Sequence, residues 1–298
     1  VIKTDESITL TRRREFWGAD ESAYQGMFNF DKIRFVVVRE SRLAFDKVCK
    51  GELDFQTVMT AKWWVEELDQ MEAIQQGHLV RQKVYTKFPK GIQGQAYNLR
   101  GSPLDDVRVR KALAHAFDRE TMLEKFAYNE YFPLKSYFPG SDAENPQNVM
   151  VDYNLATASE LLTEAGWSER GSDGILHRNG ERLTMNLSYR TDGLEKYYTV
   201  YQKACKQIGV ELNLQFVDGA THWNNLQDRK FQFAGMAWGA ILFPNPRSNW
   251  HSSMADKNGS NNFIGFSHPD VDDLIDQYDK EIDLEKRNAL LQQMDGLI

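Results

Sequence analysis

The chain has 298 residues, long enough for two ordinary domains or one large one. Hydrophobic, aromatic and charged fractions of 41%, 12% and 27% are those of a globular protein, and no run of eighteen apolar residues offers a membrane span. With 36 basic and 43 acidic residues the formal net charge is −7, which argues against nucleic acid as the partner, because phosphate binding needs a basic field.

In chain order, Ser7–Thr11 alternates polar and apolar residues and predicts a strand. Phe30–Arg39 predicts a second, with its Val36–Val38 run expected at a sheet centre. Leu43, Phe45, Val48 and Cys49 mark a short helix ended by Gly51, and a strand is expected to begin at Leu53. Thr60–Gln76 predicts a helix with Gly77 as its C-cap. The runs "HLVRQKVYTKF" and "GQAYNLR" read as strands, which completes a mixed α/β first portion.

The stretch "SPLDDVRVRKALAHAFDRETML" follows. Asp105 or Asp106 is placed to cap a helix whose Val109, Ala112, Leu113, Ala116 and Phe117 form one apolar stripe. Asp106 and Arg110 stand at i, i+4 spacing. Asp118 ends this helix and can cap the next, so the unit reads as a helical corner. A long loop-like stretch comes next, then a helix over Asn154–Trp167. "DGILHRNGERLTMNLSYR" reads as a hairpin turning at Asn179–Gly180. Helices and strands then alternate to the end, with a helix opening on Pro269 and a last one starting near Asp283. A second α/β unit is thus expected from about Asn98 onward. Both chain ends read as cut from a longer protein.

Catalytic and metal motifs are missing from the pattern. None of the six histidines belongs to an HExxH pattern. No serine elbow, dinucleotide loop or phosphate loop occurs. Carboxylate pairs such as Asp105/Asp106 and Asp272/Asp273 sit on helix starts or exposed faces. Cys49 and Cys205 fall on predicted helices and read as small buried residues. The residues therefore point to no enzyme, no metal and no cofactor. What remains is a set of polar and aromatic residues near strand ends, where open α/β sheets bind ligands. These are Tyr97 and Asn98, then Arg190, then Arg229, Trp238, Asn245 and Arg247. Arginine fits a carboxylate in bidentate fashion, and tryptophan supplies a flat wall.

The run "NLRGSPLDDVRVRKALAHAFDRETM" resembles the signature of extracellular solute-binding proteins of the oligopeptide-binding family, bacterial family 5. "SITLTRRREFWG", "FDKVCKGELDF", "ASELLTEAGW" and "GSNNFIGFSHPDVDDLID" extend the resemblance along the chain. "KGIQGQAYNLR" and "FPNPRSNWHSS" are similar to the subgroup associated with murein peptides and peptide antibiotics.

The resemblance implies a two-lobed periplasmic binding protein fold of α/β class. Residues 1–97 would be part of lobe I, and residues 98–298 most of lobe II. It implies a monomer that captures peptides by hinge closure and delivers them to an inner-membrane ABC permease. Its place would be periplasmic, or extracytoplasmic and membrane-tethered. Trp238 falls where the family has a pocket tryptophan, and Arg229 matches a position that can meet peptide carboxylates. Ile241 stands where peptide binders often have an aspartate for the ligand's amino group, so that anchor is missing. The same scaffold carrying an oligosaccharide, opine, metal complex or haem is the alternative, and a hydrolase with an unrecognised carboxylate pair is a third reading.

Overall fold

The computed structural model describes residues 1–86 and 88–298. The chain divides into two compact units, Val1–Lys83 and Val84–Ile298. The division between these units falls upstream of Tyr97. The strand ending at Tyr97, grouped by its sequence position with the first portion, pairs only within the second unit.

In the first unit, β1 (Ile2–Lys3), β2 (Ser7–Thr11) and β3 (Lys32–Val36) form an antiparallel sheet with β2 in the middle. The register pairs Ile8 with Phe35 and Leu10 with Ile33, which puts all four on one face. That face is exposed, and β3 is an edge strand, so the Val36–Val38 run does not occupy a sheet centre. The unit's core lies instead against α1 (Ser41–Cys49), where Phe45 stacks on Trp63 at 4.9 Å beside buried Leu68. Arg42 lies over both rings and pairs with Glu67 at 2.6 Å.

The single helix expected over Thr60–Gln76 breaks into a π turn (Trp63–Glu67), a 3-10 turn (Leu68–Gln70) and the one-turn α2 (Glu72–Gln75). The strands expected at Leu53 and over His78–Phe88 are not formed by the described residues, and Lys87 lies outside them.

The second unit is built on a four-stranded sheet. Its strands are β4 (Ile92–Tyr97), β8 (Thr184–Tyr189), β9 (Glu211–Phe216) and β10 (Phe233–Trp238), in the order β4-β10-β8-β9. The last three are parallel, and β4 runs antiparallel to β10. A small separate sheet joins β5 (Glu169–Arg170), β6 (Leu176–Arg178) and β7 (Glu181–Arg182). Asn179 and Gly180 make the β6–β7 turn with φ of 54° and 81°, as a type I′ hairpin requires.

Strand alternation sorts the two faces of the main sheet. Met185, Leu187, Tyr189 and Phe233 point into the large core. That core is completed by α3 (Val107–His115), α4 (Arg119–Ala127), α5 (Leu155–Glu164) and α6 (Glu195–Gln207). On the other face, Ala234 packs with Leu226 of α7 (Gly219–Gln227) and with Phe263. A third cluster gathers α8 (Pro246–Trp250), α9 (Pro269–Tyr278) and α10 (Leu284–Asp295) around Trp250, Ile275 and Met294.

The helix starts are set by local chemistry. Asp106 accepts from the Arg108 N–H, Asp118 from Thr121, Asn154 from Thr157 and Asp283 from Lys286. Asp106 pairs with Arg108 at 2.7 Å rather than with Arg110, whose guanidinium turns back to the Leu104 and Asp105 carbonyls.

Gly235 is where α6 meets the sheet most closely: a Cβ there would lie 2.4 Å from the Tyr198 hydroxyl oxygen. Gly235→Ala is therefore expected to lower stability by about 1–3 kcal/mol through overpacking. The same change in a Tyr198→Phe background should recover most of that loss. Urea unfolding of the four proteins of the cycle measures it, and additive single effects would refute the close approach.

Candidate functional site

The parallel strands β8, β9 and β10 end on one edge of the sheet, and the antiparallel β4 begins there. In open α/β sheets this carboxyl edge is where ligands bind. Trp238 closes β10 on this edge, paired with Ile92 at the start of β4. Its ring is half-buried and meets Tyr137 edge-on, with centroids 6.4 Å apart. Gly91 lets β4 pass the end of β10, because a Cβ there would sit 2.5 Å from the Trp238 carbonyl oxygen.

Arg190 follows directly after β8. It is exposed, and among the described residues it has no hydrogen-bond or ion-pair partner. The loop after Trp238 exposes Ile241, Leu242 and Phe243 and ends on exposed Asn245. Asn245 precedes Pro246 at the start of α8, and its side chain caps nothing. Trp238, Arg190 and Asn245 thus belong to this carboxyl edge, as their positions after strands predict.

The other four expected site residues make contacts within the chain. Tyr97 lies opposite Phe233, five positions from Trp238 along the ladder, which is about 17 Å of strand. Its ring packs on Phe233 at 4.8 Å, and burial pushes its phenol well above the ordinary range. Asn98 donates to the Arg229 and Phe231 carbonyls at 3.2 and 2.9 Å, and accepts from the Arg100 guanidinium at 3.0 Å.

Arg229 sits in the left-handed region (φ 61°) at the turn into β10. Its guanidinium donates to the carbonyls of Leu226, Gln227, Lys257 and Ser260 and to the Ser260 hydroxyl, and it lies over the Phe263 ring. Arg247 is held by Asp276 and by Asp279, the latter at 2.5 Å. These arginines were expected to meet a ligand carboxylate. In the structure they hold carbonyls and carboxylates of the chain itself.

Two concavities accompany the sheet and α9–α10. One, of about 490 Å³, lies along α9 and α10 and includes none of the expected residues. The other, of about 330 Å³, is lined by Asn98, Asn186, Ser188, Gln215, Asn225 and Gln232 on the polar face of β8 and β9. Among the described residues no group of three or more histidine, cysteine or acidic side chains is placed to hold a metal ion.

Tyr137 is the edge residue that strand-end reasoning missed. It lies inside the long loop before α5, where no periodic signal marks it. Its ring contacts Trp238 and, at 4.8 Å, Trp250, and its hydroxyl accepts from Asn249 at 2.8 Å. Burial pushes its pKa up to about 12, so it stays a neutral phenol.

His222 of α7 is buried beneath this edge, with Nε2 3.0 Å from the Gly235 carbonyl. Burial lowers its pKa from 6.5, and the Arg190 charge adds to the shift.

The arginines divide into a stability class and an exposed class, and mutation should separate them. Arg229→Ala is expected to cost about 1–3 kcal/mol by leaving buried carbonyls unpaired, while Arg190→Ala should stay within about 0.5 kcal/mol of the parent. Denaturant midpoints compare them, and equal losses would refute the division. Because His222 takes up a proton more readily when unfolded, the unfolded state binds more protons below pH 6.5. Stability should accordingly fall as pH drops from 6.5 toward the depressed folded value, and His222→Gln should flatten that part of the pH profile.

Comparison with known proteins bears on this architecture. The profile described as "Bacterial extracellular solute-binding proteins, family 5 Middle" matches residues 2–261. The chain is 25% identical over 311 aligned positions to the probable peptide-binding protein YejA of Agrobacterium fabrum, covering 92% of this chain and 50% of that protein. It is 26% identical to the oligopeptide-binding protein OppA of Bacillus subtilis, covering 99% of this chain and 51% of the relative. The chain therefore spans about half the length of the curated relatives it matches. Among solved structures, the oligopeptide-binding protein AppA of Bacillus subtilis, in complex with a nonapeptide, superposes over 100% of this chain and 57% of its own. The TM-score is 0.81 at 21% identity, so the fold is shared. The chain belongs to the bacterial extracellular solute-binding proteins, family 5.

Proposed function

We propose that the protein carrying this chain is the substrate-binding component of an ABC importer and captures peptides, murein peptides among them. The observation that carries the reading is the carboxyl edge of the β4-β10-β8-β9 sheet. There Trp238, half-buried, closes β10, and Arg190, with no hydrogen-bond or ion-pair partner among the described residues, follows the neighbouring β8. A peptide has an amphipathic backbone and a terminal carboxylate. Trp238 provides a wall for the first, and Arg190 provides a charge-assisted donor pair for the second. Asn245 adds a neutral donor and acceptor for the peptide main chain. The relatives' names, peptide-binding and oligopeptide-binding, support the same ligand class.

In this reading the compact units correspond to part of lobe I (residues 1–83) and most of lobe II (residues 84–298) of the parent protein. Ligand contacts that exist only in the closed arrangement of the lobes drive closure. The closed, loaded protein is then recognised by an inner-membrane permease complex. The protein acts as a monomer outside the cytoplasm, in the periplasm or tethered to the membrane. No chemical step is assigned to it.

Calorimetry with peptides of two to five residues and with a murein tripeptide tests the reading. Trp238→Ala is expected to weaken binding by about 2 kcal/mol, as loss of a buried aromatic anchor does. Arg190→Ala should weaken binding of peptides with a free C-terminal carboxylate by roughly 1.5–3 kcal/mol and affect C-terminally amidated peptides far less. No heat with any of these peptides would sink the proposal. Binding of an oligosaccharide, opine, metal complex or haem in their place would move the protein to a different ligand class on the same fold.

A further inference from the structure

Asp295, the last residue of α10, is 5% exposed. A carboxylate there is unfavourable on two counts. Burial removes its water, and the C-terminal end of a helix already carries partial negative charge. Three N–H groups offset both costs. The Tyr137 backbone N–H donates to Oδ1 at 2.7 Å. The Asn145 backbone N–H and the Asn148 amide both donate to Oδ2 at 2.9 Å. All three donors lie in residues 137–148 of one irregular loop, and Asn148 also reaches the Asp295 carbonyl at 3.2 Å. The loop has little regular structure of its own, so this carboxylate is the post around which it is wound.

The held loop delivers Tyr137. Its backbone is fixed by Asp295, its hydroxyl by Asn249, and its ring is wedged between Trp250 and Trp238. A continuous line of contact therefore runs from the end of α10, through Tyr137, to the half-buried tryptophan of the sheet edge. Trp238 is braced on one side by the strand ladder and on the other by a ring whose position the carboxylate determines.

On the reading of that edge as the ligand wall, we propose that Asp295 is a positioning residue. It touches no ligand, and it sets the orientation of Trp238 through the 137–148 loop and Tyr137. Helix α10 thereby has a role in ligand affinity beyond closing its own small core.

Fluorine NMR of protein labelled with 5-fluorotryptophan tests this, with the Trp238 signal assigned by its loss in Trp238→Phe. Asp295→Asn keeps the shape and removes one acceptor oxygen, so at least one of the three loop donors must lose its partner. The Trp238 and Trp250 signals should shift or broaden, while Trp167, in the main core, stays in place. Asn148→Ala, a milder change that leaves the carboxylate on Tyr137, should move Trp238 in the same direction by less, and it decides the matter if Asp295→Asn does not fold.

Affinity for trialanine should fall about tenfold in Asp295→Asn. A purely structural role would lower the melting temperature and leave the Trp238 signal and trialanine affinity of the folded protein unchanged, and that result overturns the proposal. If the parent protein binds no peptide, the functional reading fails. The Trp238 signal still decides whether Asp295 positions the wall.

Discussion

The six-pair antiparallel ladder between β4 and β10 is the constraint on which the second unit depends. It sets Ile92 against Trp238 and Tyr97 against Phe233. Because β10 is parallel to β8, and β8 to β9, this one reversed strand brings the start of β4 to the edge where the other three strands end. The chain thus enters the sheet at the edge that binds ligands in folds of this kind. A slip of one residue in this ladder would turn Phe233 out of the large core and Ala234 into it. Gly91 and Gly235 mark the two points where the arrangement is tightest, one against the Trp238 carbonyl and one against the Tyr198 hydroxyl.

Arginine shows what strand-end reasoning can and cannot separate. Arg190, Arg229 and Arg247 look alike in sequence, each near a strand end and each beside polar residues. The fold gives them opposite roles. Arg229 and Arg247 stand where irregular backbone or acidic side chains leave acceptors unmatched, and a guanidinium with five donors satisfies several at once. Arg100 does the same for the Phe263 and Asn262 carbonyls. Arg190 follows a regular strand, is exposed, and has no hydrogen-bond or ion-pair partner among the described residues. The acceptor field around a side chain is a non-local property, and no local motif records it.

The same distinction between local and distant causes explains how much of the fold could be read in advance. The caps at Asp106 and Asp118 and the Asn179–Gly180 turn were legible because each is complete within four residues. The amphipathic helices of the second unit were legible from their 3.6-residue period. The unit boundary was not, because "GQAYNLR" shows that it is a strand but not which strand it pairs with. Its partner, β10, lies more than 130 residues later. The first unit was read least well. Its sheet leaves Ile8, Leu10, Ile33 and Phe35 exposed, so apolar alternation there predicted strands but not burial. The Thr60–Gln76 periodicity was interrupted where Phe45, Trp63 and Arg42 stack.

The carboxyl edge of the sheet inherits this mixture. Trp238 was legible as an aromatic residue at a strand end, yet the groups that hold it come from far along the chain. Tyr137 is 101 positions before it, and the carboxylate that holds Tyr137 is 158 positions beyond that residue. Sheet hydrogen bonds fix the height of the tryptophan on the edge, but they leave its ring free to turn. Orientation must come from packing. That packing comes from the small Trp250–Ile275–Met294 core rather than from the large one under the sheet. A wall held this way can be adjusted without disturbing the main core, because the two clusters share no residue. Changes in the loop before α5 and in α10 can therefore reach Trp238 through Tyr137. Both are distant from Trp238 in sequence.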